Sequence, residues 1–232
     1  MTVILLPKPG RLSASVTSST SVNWYLNGNF VSQSNRLDAE LAPGDYQLAV
    51  SSDYHERVER NLKIAADDDI SLSIDLPSIT GTLRAIMTPP GTMLVDGQPV
   101  DNTSPITLDP GPHHIDLAAP GHKSVSDSIT ITQTQRDFIR SYKLQPLPVR
   151  MQHQLIPPGG SLFVNGKRQD ISKNTIEIPY RKTLDIEYAK PGFVTKTQSQ
   201  TVAPGEMIAL SLVLDPEFAD ITVSANITAD IY

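Results

Sequence analysis

The feature that constrains this chain most is a short motif that recurs at a constant interval. Hydrophobic segments run into Asn27–Gly28, into Asp96–Gly97 and into Asn165–Gly166, and successive glycines of this motif are 69 residues apart. Asn-Gly and Asp-Gly tolerate the positive φ angles of a type I′ turn, whose twist matches that of paired strands. The recurrence therefore predicts the same β-hairpin three times, in a chain built of three repeats.

Composition agrees with many short strands. The 232 residues include 19 Pro and 13 Gly, which suits turns better than long helices, and the 39% of hydrophobic residues suffices for packed cores. Each repeat opens and closes with a segment in which polar and apolar residues alternate, as in a strand with one buried face. The opening segments are Arg11–Val16, Gly81–Ile86 and Val149–Leu155, and the closing segments are Ile70–Leu76, Phe138–Leu144 and Ile208–Leu214.

Two further turn signals lie between these segments. Pro43–Gly44 and Pro110–Gly111 each precede an alternating stretch, which predicts a second hairpin, whereas the third repeat keeps only Pro179 at this place. A later turn is marked by Gly121 and Gly192 in the second and third repeats. Asp53–Tyr54 stands at the corresponding place in the first repeat.

These markers divide the chain into repeats of residues 9–78, 79–146 and 147–215, each with six or seven predicted strands. We expect an all-β protein of three small, immunoglobulin-like β-sandwiches in an elongated array, joined by short, Pro-containing and therefore semi-rigid linkers. Residues 1–8 resemble a closing strand and residues 216–232 resemble opening strands. We therefore expect a segment of a longer array, although a natural chain with frayed terminal strands would look similar.

Few residues are candidates for chemistry. The sequence has no cysteine, which excludes disulfides and thiolate metal sites, and its five histidines do not have metal-ligand spacing. Neighbouring residues of a strand face opposite sides, so His113 and His114 cannot both point into one site without a bend. Both are expected to be solvated beside a turn. Asp67–Asp69 lacks the glycine and distal glutamate of a calcium loop and is expected to be a solvated turn. We assign no catalytic residue, metal site or cofactor.

The net charge, the hydropathy and the aromatic residues indicate which kinds of binding partner the chain could have. The net charge of −6 argues against nucleic acid as a partner. No apolar run approaches the roughly 20 residues that a membrane helix needs, so this segment is not expected to insert into a membrane. Either Trp24 or Tyr25 must face the core, since they are adjacent on a strand, and the other residue is a candidate sugar-stacking surface. Core packing is the favoured role for the aromatic residues.

The order of these motifs resembles that of the PEGA family of bacterial repeat domains. The second repeat matches best, through Val95–Gly97, Ser104–Leu108, Pro110–His113 and Pro120–His122, and the resemblance extends over most of residues 11–215. It implies small β-sandwiches, mostly outside the bacterial cytoplasm, that commonly serve as spacers or binding modules between a membrane anchor and another domain. The family has no shared catalytic residues, so any enzymatic domain would lie outside this segment.

Two functions therefore remain open. The first is a non-catalytic spacer, periplasmic or extracellular, that positions another domain of an envelope protein. The alternative is a binding module for a protein, for glycan or for peptidoglycan, acting through loops or an exposed sheet edge. An enzyme is the least favoured class, and the binding residues are unknown.

Overall fold

The computed structural model describes residues 7–17 and 21–218, and every regular element in them is a β-strand. The 21 strands fall into three sets of seven, and each set lies within one of the predicted repeats. The predicted strands of the two terminal segments fall mainly on residues 1–6 and 219–232, which are outside the described residues. No described helix is long and apolar enough to span a membrane.

The strand bounds are similar in the three repeats. The first contains β1 (Gly10–Val16), β2 (Val22–Leu26), β3 (Asn29–Ser34), β4 (Arg36–Leu41), β5 (Gly44–Ser52), β6 (His55–Ile64) and β7 (Asp69–Ile74). The second contains β8 (Gly81–Thr88), β9 (Thr92–Val95), β10 (Gln98–Val100), β11 (Ile106–Leu108), β12 (Gly111–Ala118), β13 (Val125–Ile131) and β14 (Asp137–Lys143). The third contains β15 (Val149–Ile156), β16 (Ser161–Val164), β17 (Lys167–Arg168), β18 (Thr175–Ile178), β19 (Thr183–Ala189), β20 (Lys196–Thr201) and β21 (Met207–Val213).

Each repeat is a sandwich of a three-stranded and a four-stranded sheet. In the first repeat the strand orders are β4-β1-β7 and β3-β2-β5-β6, and the other two repeats have the same orders. The first strand of each repeat pairs antiparallel with the fourth and parallel with the seventh. The prediction of an all-β fold made of three β-sandwich repeats is confirmed.

The core of each sandwich lies between its two sheets, because the inward residues of the alternating strands are apolar. In the first repeat, Leu12 and Ala14 of the three-stranded sheet pack in one buried cluster with Trp24, Leu48 and Val50 of the four-stranded sheet. The third repeat has a separate cluster that includes Met151, Leu162 and Tyr188. No buried polar or charged residue occurs in the described part of the chain.

The Pro-Gly signals do not mark hairpins, so that prediction was wrong. The strands on either side of Pro43 are β4 and β5, which belong to different sheets, and the strands around Pro110 are β11 and β12, which also do. The chain crosses from one layer of the sandwich to the other at these points. A local turn signal shows that the chain changes direction, but the pairing of the flanking strands depends on the register of the whole sheet.

By compactness the chain divides into two units rather than three. One unit comprises residues up to Leu117 together with Val125–Lys143, and the other comprises Ala118–Ser124 together with the residues from Leu144 onward. The first unit thus contains the sandwich of the first repeat and nearly all of the second. The second unit contains the third repeat and the loop that connects β12 to β13.

Candidate functional site: the joints between repeats

The predicted Asn-Gly and Asp-Gly turns have the expected backbone conformation. Asn27, Asp96 and Asn165 have φ angles of 50°, 51° and 51°, and the glycines that follow have φ angles of 79°, 77° and 74°. Positive φ at both central residues is the signature of the type I′ turn. The prediction of three equivalent hairpins is confirmed, as β2–β3, β9–β10 and β16–β17.

The side chain at the first turn position has a second role that the sequence pattern did not reveal. The Oδ1 atoms of Asn27, Asp96 and Asn165 accept hydrogen bonds from the main-chain N–H groups of residues 47, 114 and 185, at 2.8, 2.8 and 3.0 Å. Each bond ties the turn to the fifth strand of the same repeat. Asn and Asp both carry this acceptor oxygen, which explains why the two residue types alternate at one position.

His113 is not solvated, which corrects the prediction made for the histidine pair. Its side chain is 11% exposed, and its Nδ1 and Nε2 atoms lie 2.7 Å from Asp96 Oδ2 and 2.8 Å from the main-chain oxygen of Asp109. The Asp96 carboxylate and the Asp109 carbonyl only accept hydrogen bonds, so the ring can donate to both only in its charged imidazolium form. Burial disfavours that charge, but the hydrogen bonds to Asp109 and Asp96 outweigh it and raise the pKa of His113.

The pKa of Asp96 is shifted in the opposite direction. The hydrogen bond from His113, together with that from the main chain of His114, lowers the pKa of Asp96 below its ordinary 3.8. The side chain of His114 pairs with a different carboxylate, and its Nε2 atom lies 3.2 Å from Asp116 Oδ1. No group of three or more His, Asp or Glu side chains that could hold a metal ion occurs among residues 7–17 and 21–218.

The acidic run Asp67–Asp69 and the aromatic pair Trp24 and Tyr25 have structural roles. Asp67 occupies a turn between β6 and β7 with a φ of 62°, and the carboxylate of Asp68 accepts the N–H of Ala65. Trp24 is fully buried and donates its indole N–H to the main-chain oxygen of Ser34. Tyr25 lies on the opposite face of the strand, where its ring is 5.9 Å from that of Phe30 in an edge-to-face arrangement.

A second feature that recurs in all three repeats is a joint between each sandwich and the linker that leaves it. We call the hairpin loop after the fifth strand the joint loop; it comprises residues 53–54, 119–124 and 190–195 in the three repeats. The linkers are residues 75–80, 144–148 and 214–218. An isolated antiparallel bridge forms at each joint. His122 and Phe193 of the joint loops pair with Pro146 and Pro216, and in the first repeat His55, the first residue of β6, pairs with Ser78.

Two hydrogen bonds accompany each bridge. The linker N–H groups of Ile79, Leu147 and Glu217 donate to the main-chain oxygens of residues 54, 121 and 192, at 3.2, 2.8 and 2.9 Å. The N–H groups of residues 56, 123 and 194 donate to the linker oxygens of Pro77, Gln145 and Asp215, at 2.8, 2.8 and 2.9 Å. Since every linker is held along its main chain, none of the three is a free tether.

In the first unit, residues of the turn after β13 contact the first joint through a main-chain hydrogen bond and an ion pair. The main-chain N–H of Gln133 donates to the Asp53 oxygen at 2.7 Å, and the Arg136 guanidinium forms two hydrogen bonds with the Glu56 carboxylate at 2.8 and 3.1 Å. The hydrogen bond from Arg136 lowers the pKa of Glu56. Bidentate pairing of this kind fixes orientation as well as distance.

In the second unit, the joint is completed by close main-chain packing. A Cβ atom at Gly121 would lie 2.0 Å from the Pro204 oxygen, and the N–H of Gly205 donates to the Leu147 oxygen at 3.1 Å. Gly121 also has a φ of 69°, so both space and backbone conformation require glycine there. At Gly192, which has a φ of 77°, no described atom lies within 4 Å of the position that a Cβ atom would take.

The structure thus brings Gly121 and Gly192 into equivalent joint loops, and keeps the type I′ turns away from them. Sequence reasoning missed Glu56, Gln133 and Arg136. The two members of the ion pair are 80 residues apart, and a single sequence contains no periodic signal for a contact that occurs once.

Comparisons with known proteins give no family. No protein-family model matches the chain, and no curated protein sequence matches it. The resemblance to PEGA domains therefore stays a prediction.

Several solved structures are similar to a limited degree. The TIE protein of Bacillus anthracis aligns over 90% of this chain and 51% of its own length, with 11% identity and a TM-score of 0.44. The chain thus spans about half the length of that protein. The major pilin subunit of Bacillus cereus aligns with 9% identity and a TM-score of 0.32, covering 90% of this chain and 100% of its own. A streptococcal ancillary pilin aligns with 10% identity and a TM-score of 0.28, covering 90% and 99%.

Proposed function

We propose that the chain is a non-catalytic spacer segment of a bacterial cell-surface or envelope protein, in which each linker is held against its own β-sandwich and the first two sandwiches keep a defined relation. The observation that carries the proposal is the joint itself, because the same bridge and the same two hydrogen bonds recur in all three repeats. A flexible tether needs no such contacts, since its main chain is solvated. An extracytoplasmic location and a membrane-anchored parent belong to the same proposal and follow from the family resemblance.

A spacer should transmit position, so the test is the distribution of distances across the first joint. The chain has no cysteine, so fluorophores attach only where cysteines are introduced, at Ser71 and Thr107 on exposed strands. We expect one narrow population in single-molecule energy transfer. The substitution Arg136→Ala should broaden it, because it removes both bonds to Glu56.

The matched control for this experiment is Arg84→Ala in the same repeat. Arg84 has no ion-pair partner among the described residues, so its removal should leave the distribution unchanged. A broad distribution in the unsubstituted protein would contradict the spacer function.

A further inference from the structure

The second repeat lacks part of a strand that the first repeat has. In the first repeat β4 pairs with β1 along six residues, from Gly10 with Leu41 to Ser15 with Arg36. In the second repeat β11 has only three residues, and pairs with β8 from Gly81 to Leu83. Because β8 continues to Thr88, its second half has no neighbouring strand on that side among the described residues.

The main-chain groups of this half strand have a definite direction. The N–H of Thr82 donates to the Arg136 oxygen on the β14 side, and successive residues of a strand point their main-chain groups to alternate sides. The N–H and C=O groups of Ala85 and Met87 therefore face the open side. No hydrogen bond joins them there to another described residue.

These groups are not simply exposed to bulk water. Ala85 is 4% exposed and Met87 is 8% exposed, and both line a groove of about 300 Å³ with Pro90–Gly91 and Asn102–Thr103. Buried main-chain donors and acceptors are almost always paired, because leaving them unpaired is costly. The groove is thus a place where the fold leaves hydrogen-bonding capacity for another molecule.

The first repeat shows what fits such a groove. There Leu37 lies opposite Ala14, the counterpart of Ala85, and is 4% exposed in the core, while the N–H of Val16 donates to the Asn35 oxygen at 3.1 Å. By the same register, Ser104 is the counterpart of Leu37, but it is exposed. The second repeat therefore lacks both the strand and the apolar residue that close the sandwich at this edge.

We propose that this groove binds an extended peptide segment of a partner protein, which adds as a strand antiparallel to β8. The segment places one apolar side chain inward opposite Ala85, in the position that Leu37 occupies in the first repeat. An acidic residue beside it meets Arg84, which lines the groove and has no ion-pair partner in the described chain. Main-chain hydrogen bonds supply the affinity and the inward side chain supplies the specificity. This inference does not rest on the spacer function.

The probe is a synthetic peptide with the sequence of residues 33–41, which includes the strand that fills the equivalent edge of the first repeat. We expect it to slow the amide hydrogen exchange of Ala85 and Met87 in the isotopically labelled full chain, by about tenfold at ten times the dissociation constant. Ala14 and Val16 serve as internal controls, because their edge is already paired. The control is the same peptide with the substitution Leu37→Asp, which should have no effect on the exchange of these amides.

Two variants of the chain measure how much the charge of Arg84 contributes to peptide binding. Arg84→Ala should weaken binding of the probe and reduce its dependence on salt, whereas Arg150→Ala, an exposed arginine of the third repeat, should do neither. The proposal is overturned if the Ala85 and Met87 amides do not respond up to the solubility limit of the probe. It is equally overturned if these amides are already protected in the free chain. Protection at every concentration would show that the chain's own segments fill the groove, and protection that grows with concentration would show that a second copy does.

Discussion

At the scale of single residues, the turns show how backbone conformation and side-chain chemistry select the same residue types. Asn27, Asp96 and Asn165 combine positive φ with an oxygen that accepts a main-chain N–H of the fifth strand. Conformation alone would favour glycine at this position as well. The acceptor excludes glycine, and so the recurrence of Asn and Asp reflects two constraints at once.

The substitution Asn165→Ala tests both constraints together. It loses the bond from the Asp185 N–H and places alanine at positive φ, so we expect the free energy of unfolding to fall by about 1–2 kcal/mol in urea denaturation. Asn165→Asp is the control, because it retains the acceptor oxygen that the second repeat uses naturally. If aspartate were as costly as alanine, the acceptor role would be wrong.

The charged pair in the second repeat predicts a dependence on pH. The pKa of His113 is raised above its ordinary 6.5, so its stabilisation is complete below that value and is lost as pH rises through the folded pKa. The pKa of Asp96 is lowered from 3.8, so its stabilisation is present above 3.8 and is lost as pH falls through the folded pKa. The pair therefore stabilises the fold most between pH 3.8 and 6.5.

Urea denaturation across this pH range measures the effect. In His113→Gln the contribution of the pair should disappear, so the difference in stability from the unsubstituted protein should be largest between pH 3.8 and 6.5 and shrink at higher pH. His114→Gln is the matched control, because that side chain is 58% exposed. An NMR titration that placed the pKa of His113 below 6.5 would contradict the assignment.

At the scale of elements, the joints use one main-chain frame and different completing contacts. The bridge and its two hydrogen bonds depend only on the backbone, so they recur although the sequences of loops and linkers differ. The completing contact uses the Arg136–Glu56 pair in one joint and the approach of Gly121 to Pro204 in another. A main-chain interaction tolerates sequence drift that a side-chain interaction does not.

Gly121 and Gly192 have nearly the same backbone conformation, so their alanine variants distinguish the effect of a steric clash from that of backbone strain. Gly121→Ala places a methyl group 2.0 Å from the Pro204 oxygen, so we expect the joint to open and thermal unfolding to occur at a clearly lower temperature. Gly192→Ala has almost the same φ but no described atom within 4 Å, so it should cost only about 1 kcal/mol of conformational strain. Equal losses in the two variants would show that the close approach is unimportant.

At the scale of the whole molecule, each end repeat has a core of its own. The buried cluster around Trp24 contains residues of the first repeat alone, and the cluster around Leu162 contains residues of the third alone. In repeat proteins stability is approximately a sum of local terms, so damage to one core should remain local.

Leu162→Ala tests this locality. Truncating a fully buried leucine should destabilise the third repeat by about 2–5 kcal/mol. The protein has one tryptophan, Trp24 in the first repeat, so its fluorescence reports on that core only, whereas far-ultraviolet circular dichroism reports on all strands. We expect the dichroism transition to split or shift while the fluorescence transition stays in place. A joint shift of both signals would show that the repeats unfold as one.

The sequence by itself determined the parts of the fold that depend on local chemistry. The period of 69 residues located three repeats, Asn-Gly and Asp-Gly predicted type I′ turns, and alternation predicted the strands on either side of them. These predictions succeeded because turn conformation is decided by two adjacent residues, and alternation by the pleat of a single strand.

Only the tertiary structure decided how the strands combine and which residues meet. The signal at Pro43–Gly44 marked a change of direction, yet pairing placed its flanking strands in different sheets. His113 met Asp96 and Asp109 across strands, and Arg136 met Glu56 across a joint. Ala85 kept open main-chain groups because β11 is short. Each of these outcomes depends on register between segments far apart in the chain, which no local pattern encodes.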